Sequence, residues 1–341
     1  MAILKRINTR AKTDENTGFG SNSNMYGGRF INKDGTPDIR KTGLPILQRI
    51  SWFHSMLQMK QWKFFGLIFL FYGVMNFLFA VIYMIIGIGN LSGLTATTPL
   101  TKFYEAFFFS AQSLTTVGYG RLAPTGFAMS FVASLEALLG LMSFAVVTGL
   151  LYGRFSRPQA FIKFSENAIV APYKQTIAVM FRIAPYKNNR LTDAEVKVTL
   201  AMMEDIDGKL TNKFYPIKLE MDKINALSLS WTLVHPIDEN SPFYGLSKDD
   251  LVAARGEIMI FLKAFDDTFS NTVVTRSSYL AKEIIFGAKF LPMFRRDDAN
   301  GGTTLMELDK LNLTEKADVT FSDMMKCQEG QSKRNDYPLQ A

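Results

Sequence analysis

Two long apolar stretches set the pattern of the chain. Residues 64–89 are apolar almost throughout, long enough to cross a bilayer, and open on Trp62 and Lys63 as an interfacial anchor. A second stretch runs from about Gly126 to Gly153 and leaves through Arg154 and Arg157. Between them, residues 103–114 form an aromatic, apolar run with room for about three helical turns, too short to span. The predicted order is helix, short re-entrant helix, loop, helix. Irregular backbone at membrane depth is tolerated where protein or ions satisfy it.

The flanks follow other periods. In residues 44–62, Ile46, Leu47, Ile50, Phe53, Met56, Leu57 and Met59 alternate with Gln48, Arg49, His54 and Lys60 at an approximately helical spacing. Directly before a span, this reads as an interfacial helix, with an ordinary soluble amphipathic helix as the alternative. Residues 1–43 are polar, lack a secretory core, and are expected to be largely mobile. Within them, Gly28-Arg29-Phe30-Ile31-Asn32-Lys33-Asp34-Gly35 places a short apolar pair before a turn signal and could add a strand to another domain. After Pro158 the pattern becomes alternating. Ile177, Val179 and Phe181 share a period of two, as do Val196, Val198 and Leu200, and Leu227, Leu229, Trp231 and Leu233. Turn signals at Asp207-Gly208, His235-Pro236 and Asn240-Ser241-Pro242 separate such runs, and Leu246 to Leu251 reads as a short capped helix. The expected organisation is an N-terminal segment 1–43, an interfacial helix 44–62, a pore domain 63–157, an all-β sandwich 158–297 and a flexible tail 298–341.

Composition narrows this further. A chain of 341 residues that is 48% hydrophobic joins a membrane part to a large soluble part. The net charge of +7 does not indicate nucleic acid, because the basic residues gather beside the membrane segments. Eleven lysines and arginines precede Phe64, whereas only Lys102 and Arg121 lie between Asn90 and Phe127. The positive-inside bias therefore predicts a cytoplasmic N-terminus, and a second span brings the C-terminus to the same side. Cys327 is the single cysteine, so no intrachain disulfide can form, and His54 and His235 are too far apart in sequence to suggest a metal site. No Ser/His/Asp constellation or Gly-rich phosphate loop is present, and Glu204, Asp205 and Asp207 read as a solvated turn. Neither an enzyme nor a cofactor is expected.

The chemistry lies in Thr115, Thr116, Val117, Gly118, Tyr119 and Gly120, which contain the TVGYG string of potassium-channel filters. Carbonyls replacing the hydration shell of K+ must point the same way over successive residues. Gly118 and Gly120 supply backbone conformations that a Cβ would penalise, while Val117 and Tyr119 pack outward. K+ would sit at Thr116, Val117, Gly118 and Tyr119. One chain offers one oxygen per ring, so the motif implies four chains about an axis. The re-entrant helix would aim its partly negative C-terminal end at the membrane centre, favouring a cation. In the second span, Phe144, Thr148 and Tyr152 drift about 40° per step and share a face, the candidate pore lining. Glu136, the only ionisable group within that span, lies about 80° away and is expected behind the filter, either hydrogen-bonded to the filter loop or in contact with ions. Gly140 serves as a hinge or as a close-packing contact.

Over about residues 28–295 the sequence resembles the inward-rectifier potassium channels, particularly their bacterial (KirBac) branch. The resemblance rests on the filter, on Gly28 to Gly35, on the LLYGRFSRP that ends at Pro158, on Phe164-Ser165-Glu166-Asn167-Ala168, on His235 to Pro242, and on Arg276-Ser277-Ser278-Tyr279-Leu280. It implies a homotetramer with two transmembrane helices per chain and a cytoplasmic immunoglobulin-like β-sandwich that extends the pore. It also implies passive K+ conduction in a bacterial inner membrane, a slide helix over residues 44–60, a rectification position at Phe144 and a constriction at Tyr152. Strong rectifiers carry an acid at the cavity position, and a second acid of theirs falls on Lys263, so weak polyamine block is expected. Arg154, Arg157 and Lys63 match basic positions of the family's phosphoinositide site. The basic pair expected after Pro158 is instead Gln159-Ala160, which weighs against phosphatidylinositol bisphosphate and leaves anionic phospholipids as partners. Gln112 stands where eukaryotic members often have Glu, so their supporting ion pair is not expected there. The competing reading is a non-conducting, membrane-anchored sensor built on the same scaffold.

Overall fold

The computed structural model describes residues 8, 10–13, 28–43, 45, 51–206, 209–297 and 302–318. The chain forms two compact units, one of residues 42–157 and one joining residues 1–41 to 158–341.

The first unit contains α1 (Trp52–Gln58), α2 (Gln61–Gly87), α3 (Pro99–Leu114) and α4 (Phe127–Phe155). Ser51 caps α1, its hydroxyl accepting from the His54 amide at 3.4 Å. The interfacial pattern of residues 44–62 thus ends sooner than expected, because Gln61 and Trp62 already belong to α2. Residues 44 and 46–50 lie outside those described. Thr98 and Thr101 form a reciprocal capping box with Pro99 in the first turn, which fixes where α3 begins. Two short strands, β1 (Leu91–Ser92) and β2 (Ala123–Pro124), pair antiparallel across the loops on either side of α3. Phe79, Ala80 and Tyr83 of α2, Ala106 and Phe109 of α3 and Met129 of α4 make the common core. The most apolar stretches of the two long helices are only 17% and 11% buried. A core helix of a soluble protein would be mostly buried, so these apolar surfaces require lipid or further chains.

The second unit is a sandwich. One sheet orders β11 (Asn271–Leu280), β10 (Glu257–Asp266), β6 (Leu191–Ile206) and β7 (Lys209–Ile217), with β8 (Lys223–Ala226) also on β6. The other orders β12 (Ile284–Phe286), β4 (Ala168–Tyr173), β5 (Thr176–Pro185) and β3 (Ile162–Phe164), with β9 (Trp231–Pro236) on β5. Val179, Phe181, Val196, Val198, Leu200, Ile258, Ile260 and Leu262 meet between them. Ser247 caps α5 (Lys248–Ala253) in a capping box with Asp250, as the sequence signal indicates.

Four local expectations need correction. The run at Ile177, Val179 and Phe181 does not face solvent on alternate residues, because Ala178 and Met180 pack with Ala288 and Phe290 on the other side of β5. A strand covered on both faces reads as a continuous apolar run. Leu229 is not in a strand but exposed in a bend, and β9 starts at Trp231. The stretch from Gly28 adds no strand to a sheet. It folds on itself through an Ile31–Pro37 bridge and buries Phe30 against Ala201, Phe214 and Met259. Finally, order extends into the expected tail. β14 (Phe294–Asp297) pairs with β15 (Thr303–Met306), and β13 (Ala288–Phe290) pairs with β16 (Thr314–Lys316). Met306, Leu308 and Leu311 pack with Met293 and Ala184, apolar anchors hidden in a polar composition. Cys327, the Asp207-Gly208 signal and residues 319–341 of that tail lie outside the described residues.

Candidate functional site

The filter string begins where α3 stops. The Thr115 hydroxyl donates back to the Ala111 carbonyl at 2.7 Å, and the Thr116 amide donates to Ser113 at 3.0 Å. The amides of Val117 and Gly118 both donate to the carbonyl of Gln112, at 2.9 and 3.3 Å. The loop is thereby folded back on the last turn of its own helix. Its backbone then takes positive φ at every second residue, 60° at Thr116, 51° at Gly118 and 81° at Gly120. In extended backbone successive carbonyls alternate in direction, whereas reversing the hand at alternate residues turns them to one side. Tyr119 and Val117 are 80% and 52% exposed.

Beyond the loop, Arg121 donates to Glu105 at 3.2 Å, and Glu105 also accepts from the Thr95 hydroxyl at 2.8 Å and the Thr95 amide at 3.2 Å. A Cβ on Gly93 would stand 1.9 Å from the Arg121 carbonyl oxygen, so only glycine allows the two strands to meet there. Gln112 contributes its main-chain carbonyl to the fold of the filter string, and Glu105, the acid that pairs with an arginine, lies about two turns earlier on α3.

Glu136 is fully buried behind α3. It accepts from the Tyr83 hydroxyl of α2 and from the Ser110 hydroxyl of α3, and Ser110 Oγ lies 3.1 Å from Asn76 Oδ1. These partners belong to two helices and not to the filter loop, correcting that expectation. A buried carboxyl needs donors close at hand, and the helices packed on it supply them. Gly140 meets α3 end-on: an added Cβ would lie 1.9 Å from the Leu114 carbonyl oxygen and 3.0 Å from its Cα. Of the two roles left open for Gly140, the structure shows the close contact.

Phe144 and Tyr152 are 71% and 74% exposed on α4, and Thr148 is exposed with them. Lys63 and Arg157 are exposed as well. Arg154 differs from both, because its guanidinium donates to the carbonyls of Met56 and Met59. Lys263 is exposed on β10.

The description "Inward rectifier potassium channel C-terminal domain" matches residues 162–334, and "Ion channel" matches residues 62–157. The chain is 32% identical over 271 residues to the inward rectifier potassium channel Kirbac3.1 of Paramagnetospirillum magnetotacticum, covering 78% of this chain and 89% of that protein. The chain belongs to the inward rectifier potassium channels. It is also 27% identical over 299 residues to the G protein-activated inward rectifier potassium channel 2 of Pongo abelii and of Mus musculus, covering 79% of this chain and 69% and 68% of theirs. It has the family's two parts, a pore domain with two apolar helices and a β-rich domain, and its family is one of ion channels rather than enzymes.

Within this inward rectifier, Tyr83, Ser110 and Asn76 around Glu136, and Thr95 with Glu105, were not singled out from the sequence. Asn76 did carry a signal, as the lone amide side chain within residues 64–89. The hydroxyl partners carried none, since tyrosine and serine occur freely in apolar helices.

Proposed function

We propose that four copies of this chain form a potassium-selective pore in the cell membrane, with both termini cytoplasmic. Thr115, Thr116, Val117, Gly118, Tyr119 and Gly120 of each chain form its filter, and K+ is the permeant ion. The observation that carries this reading is the alternation of positive φ at Thr116, Gly118 and Gly120 in a loop otherwise exposed in the single chain. Such a loop has ring geometry without a ring partner, which symmetry-related copies supply.

Conduction is passive. Phe144, Thr148 and Tyr152 line the path below the filter, and the ring of Tyr152 is the gate, moved by the β-rich unit and by anionic phospholipids. Phe144 and Lys263 place no acid where polycations would be trapped, so internal polyamines block only weakly. Lys63 and Arg157 hold anionic lipid headgroups at about 1 kcal/mol per basic residue near the surface. Glu136 and Gly140 fix α3 from behind and so hold the filter.

The test is K+ uptake into liposomes containing purified protein, with Na+ substitution and Ba2+ block. Ba2+-sensitive flux that fails with Na+ is expected, raised further by Tyr152→Ala. Absence of flux from a demonstrated tetramer, unchanged by Tyr152→Ala, would instead mark a non-conducting sensor on a channel scaffold.

A further inference from the structure

Asn76 and Tyr83 of α2, Ser110 of α3 and Glu136 of α4 are each fully buried and stand in one row of contacts. The Tyr83 hydroxyl meets one carboxyl oxygen of Glu136, and the Ser110 hydroxyl meets the other. Ser110 Oγ also lies 3.1 Å from Asn76 Oδ1. The orientation of the Asn76 amide is fixed from its far side, where Nδ2 donates to the Tyr72 carbonyl at 2.8 Å. Turning the amide over would set two acceptors, Oδ1 and that carbonyl, against each other.

This row needs more protons than its hydroxyls hold. Three oxygen–oxygen contacts run from Tyr83 to Glu136, from Glu136 to Ser110 and from Ser110 to Asn76. Each is a hydrogen bond only with a proton between its oxygens. Tyr83 and Ser110 bring one proton each, whereas an amide oxygen and a carboxylate bring none. The third proton therefore belongs to Glu136. With it in place, Tyr83 donates to Glu136 Oε2, Glu136 donates through Oε1 to Ser110, and Ser110 donates to Asn76. Charge balance points the same way. The nearby arginines are engaged elsewhere, Arg121 with Glu105 and Arg154 with the carbonyls of Met56 and Met59. A fully buried carboxylate without a cation beside it is costly.

We propose that Glu136 is held as a neutral acid and acts as a positioning residue, its own proton completing a hydrogen-bonded row that ties α4 through α3 to α2. An ionised Glu136 would take back the Ser110 proton and leave Asn76 Oδ1 facing a lone pair. The Ser110 hydroxyl would then bond α3 to α4 alone, whereas beside the neutral acid it bonds α3 to both neighbours. Thr115 follows Ser110 by five residues on the same helix end, so the row bears on the loop beyond it. That consequence rests on the reading of residues 115–120 as the filter, and the protonation of Glu136 does not.

The experiment compares wild type with Glu136→Gln, Glu136→Leu and Ser110→Ala, each as purified full-length protein in lipid bilayers. Infrared spectra are taken at neutral pH as wild type minus Glu136→Gln, so that the other buried acids cancel. The expected difference is a carboxylic-acid C=O band, which Ser110→Ala moves to higher frequency by removing the acceptor of the acid proton. Carboxylate bands in that difference, or an acid band that Ser110→Ala leaves in place, would overturn the proposal. Glu136→Gln should keep the melting temperature and the K+/Na+ preference, because its amide nitrogen donates to Ser110 and its carbonyl accepts from Tyr83 as the neutral acid does. Glu136→Leu should lower the K+/Na+ preference by about tenfold, the scale of one lost buried hydrogen bond. A Glu136→Gln protein as impaired as Glu136→Leu would also overturn it. The infrared arm needs no conduction: the acid band in a protein that passes no K+ would support the neutral acid and count against the filter reading alone.

Discussion

Gly140 of α4 and Leu114, the last residue of α3, approach so closely that a methyl group on Gly140 would sit 1.9 Å from the Leu114 carbonyl oxygen. No side-chain adjustment can relieve this, because the obstructing atom is backbone. Gly140→Ala must push the end of the re-entrant helix away, and with it Thr115, which follows directly. The expected outcome is loss of the K+/Na+ preference or of the tetramer itself, read by flux assay and size-exclusion chromatography. A Gly140→Ala channel with unaltered selectivity would show that the contact has no bearing on the filter.

Glu136 binds two helices at once, through Tyr83 and Ser110. Removing one partner of a buried hydrogen-bonded group costs about 1–3 kcal/mol. Ser110→Ala and Tyr83→Phe should each lower the melting temperature, and the double variant should lose less than the sum, because both act on one carboxyl. Additive losses would mean that the two hydroxyls serve Glu136 independently.

Glu257 accepts from the amides of Phe30 at 2.6 Å and Ile31 at 3.1 Å, while Arg29 donates to Glu283 at 3.0 Å. Glu257 is 1% exposed and Gly35 turns at φ 84° where a Cβ would meet the Arg276 carbonyl oxygen at 2.7 Å. These contacts, rather than strand pairing, dock residues 28–37. Glu257→Ala should release the segment, raising hydrogen exchange at residues 30–38 while β10 and β11 keep their protection. Equal loss in those strands would indicate a general collapse instead.

His235 is 5% exposed, with Nδ1 at 2.7 Å from the Lys218 carbonyl and Nε2 at 2.7 Å from Ser241 Oγ. The carbonyl can only accept, so Nδ1 carries the proton and Nε2 accepts from the serine. Burial holds the imidazole pKa below its ordinary value, with the Lys218 carbonyl and the charge of Asp238 opposing that shift. The unfolded chain therefore binds a proton at a pH where the folded chain does not. The stability this contributes is complete above the unfolded pKa of about 6.5 and declines as pH falls below it, by at most about 1.4 kcal/mol per pH unit. Thermal melting of the full chain between pH 7.5 and 5.5 should show that decline, and His235→Gln should flatten it.

Much of the architecture was readable because the relevant signals are contiguous. Long apolar runs announce α2 and α4, and the filter string occupies adjacent residues. Features made by residues distant in the chain were not readable. Glu136 could be placed on a helix face by counting, but its partners Tyr83 and Ser110 come from helices whose rotation no periodicity fixes. Gly140 was ambiguous because a hinge and a close contact both call for the smallest residue, and only the position of Leu114 separates them. The interfacial pattern overran its helix because Gln61 and Trp62 are as compatible with a membrane anchor as with an amphipathic face. Residues 302–318 looked like tail because their few apolar side chains are spaced to fill gaps beneath β5 rather than to form a stripe. Arg154 and Arg157 look equivalent until the carbonyls of Met56 and Met59 are seen to meet only one of them.

Gln112 gives the proposed filter a property of the monomer. Its carbonyl holds the Val117 and Gly118 amides within a single chain, so the bend exists without neighbours. Ordering backbone costs about 1–2 kcal/mol per residue. For this loop that cost falls when the chain folds rather than when chains meet. Subunits joining a ring would then associate as finished parts, with little left to freeze at the axis. The corollary is a vulnerability: in the proposed tetramer, a single subunit whose helix end is displaced would bring a misshapen quarter to a ring with three sound ones.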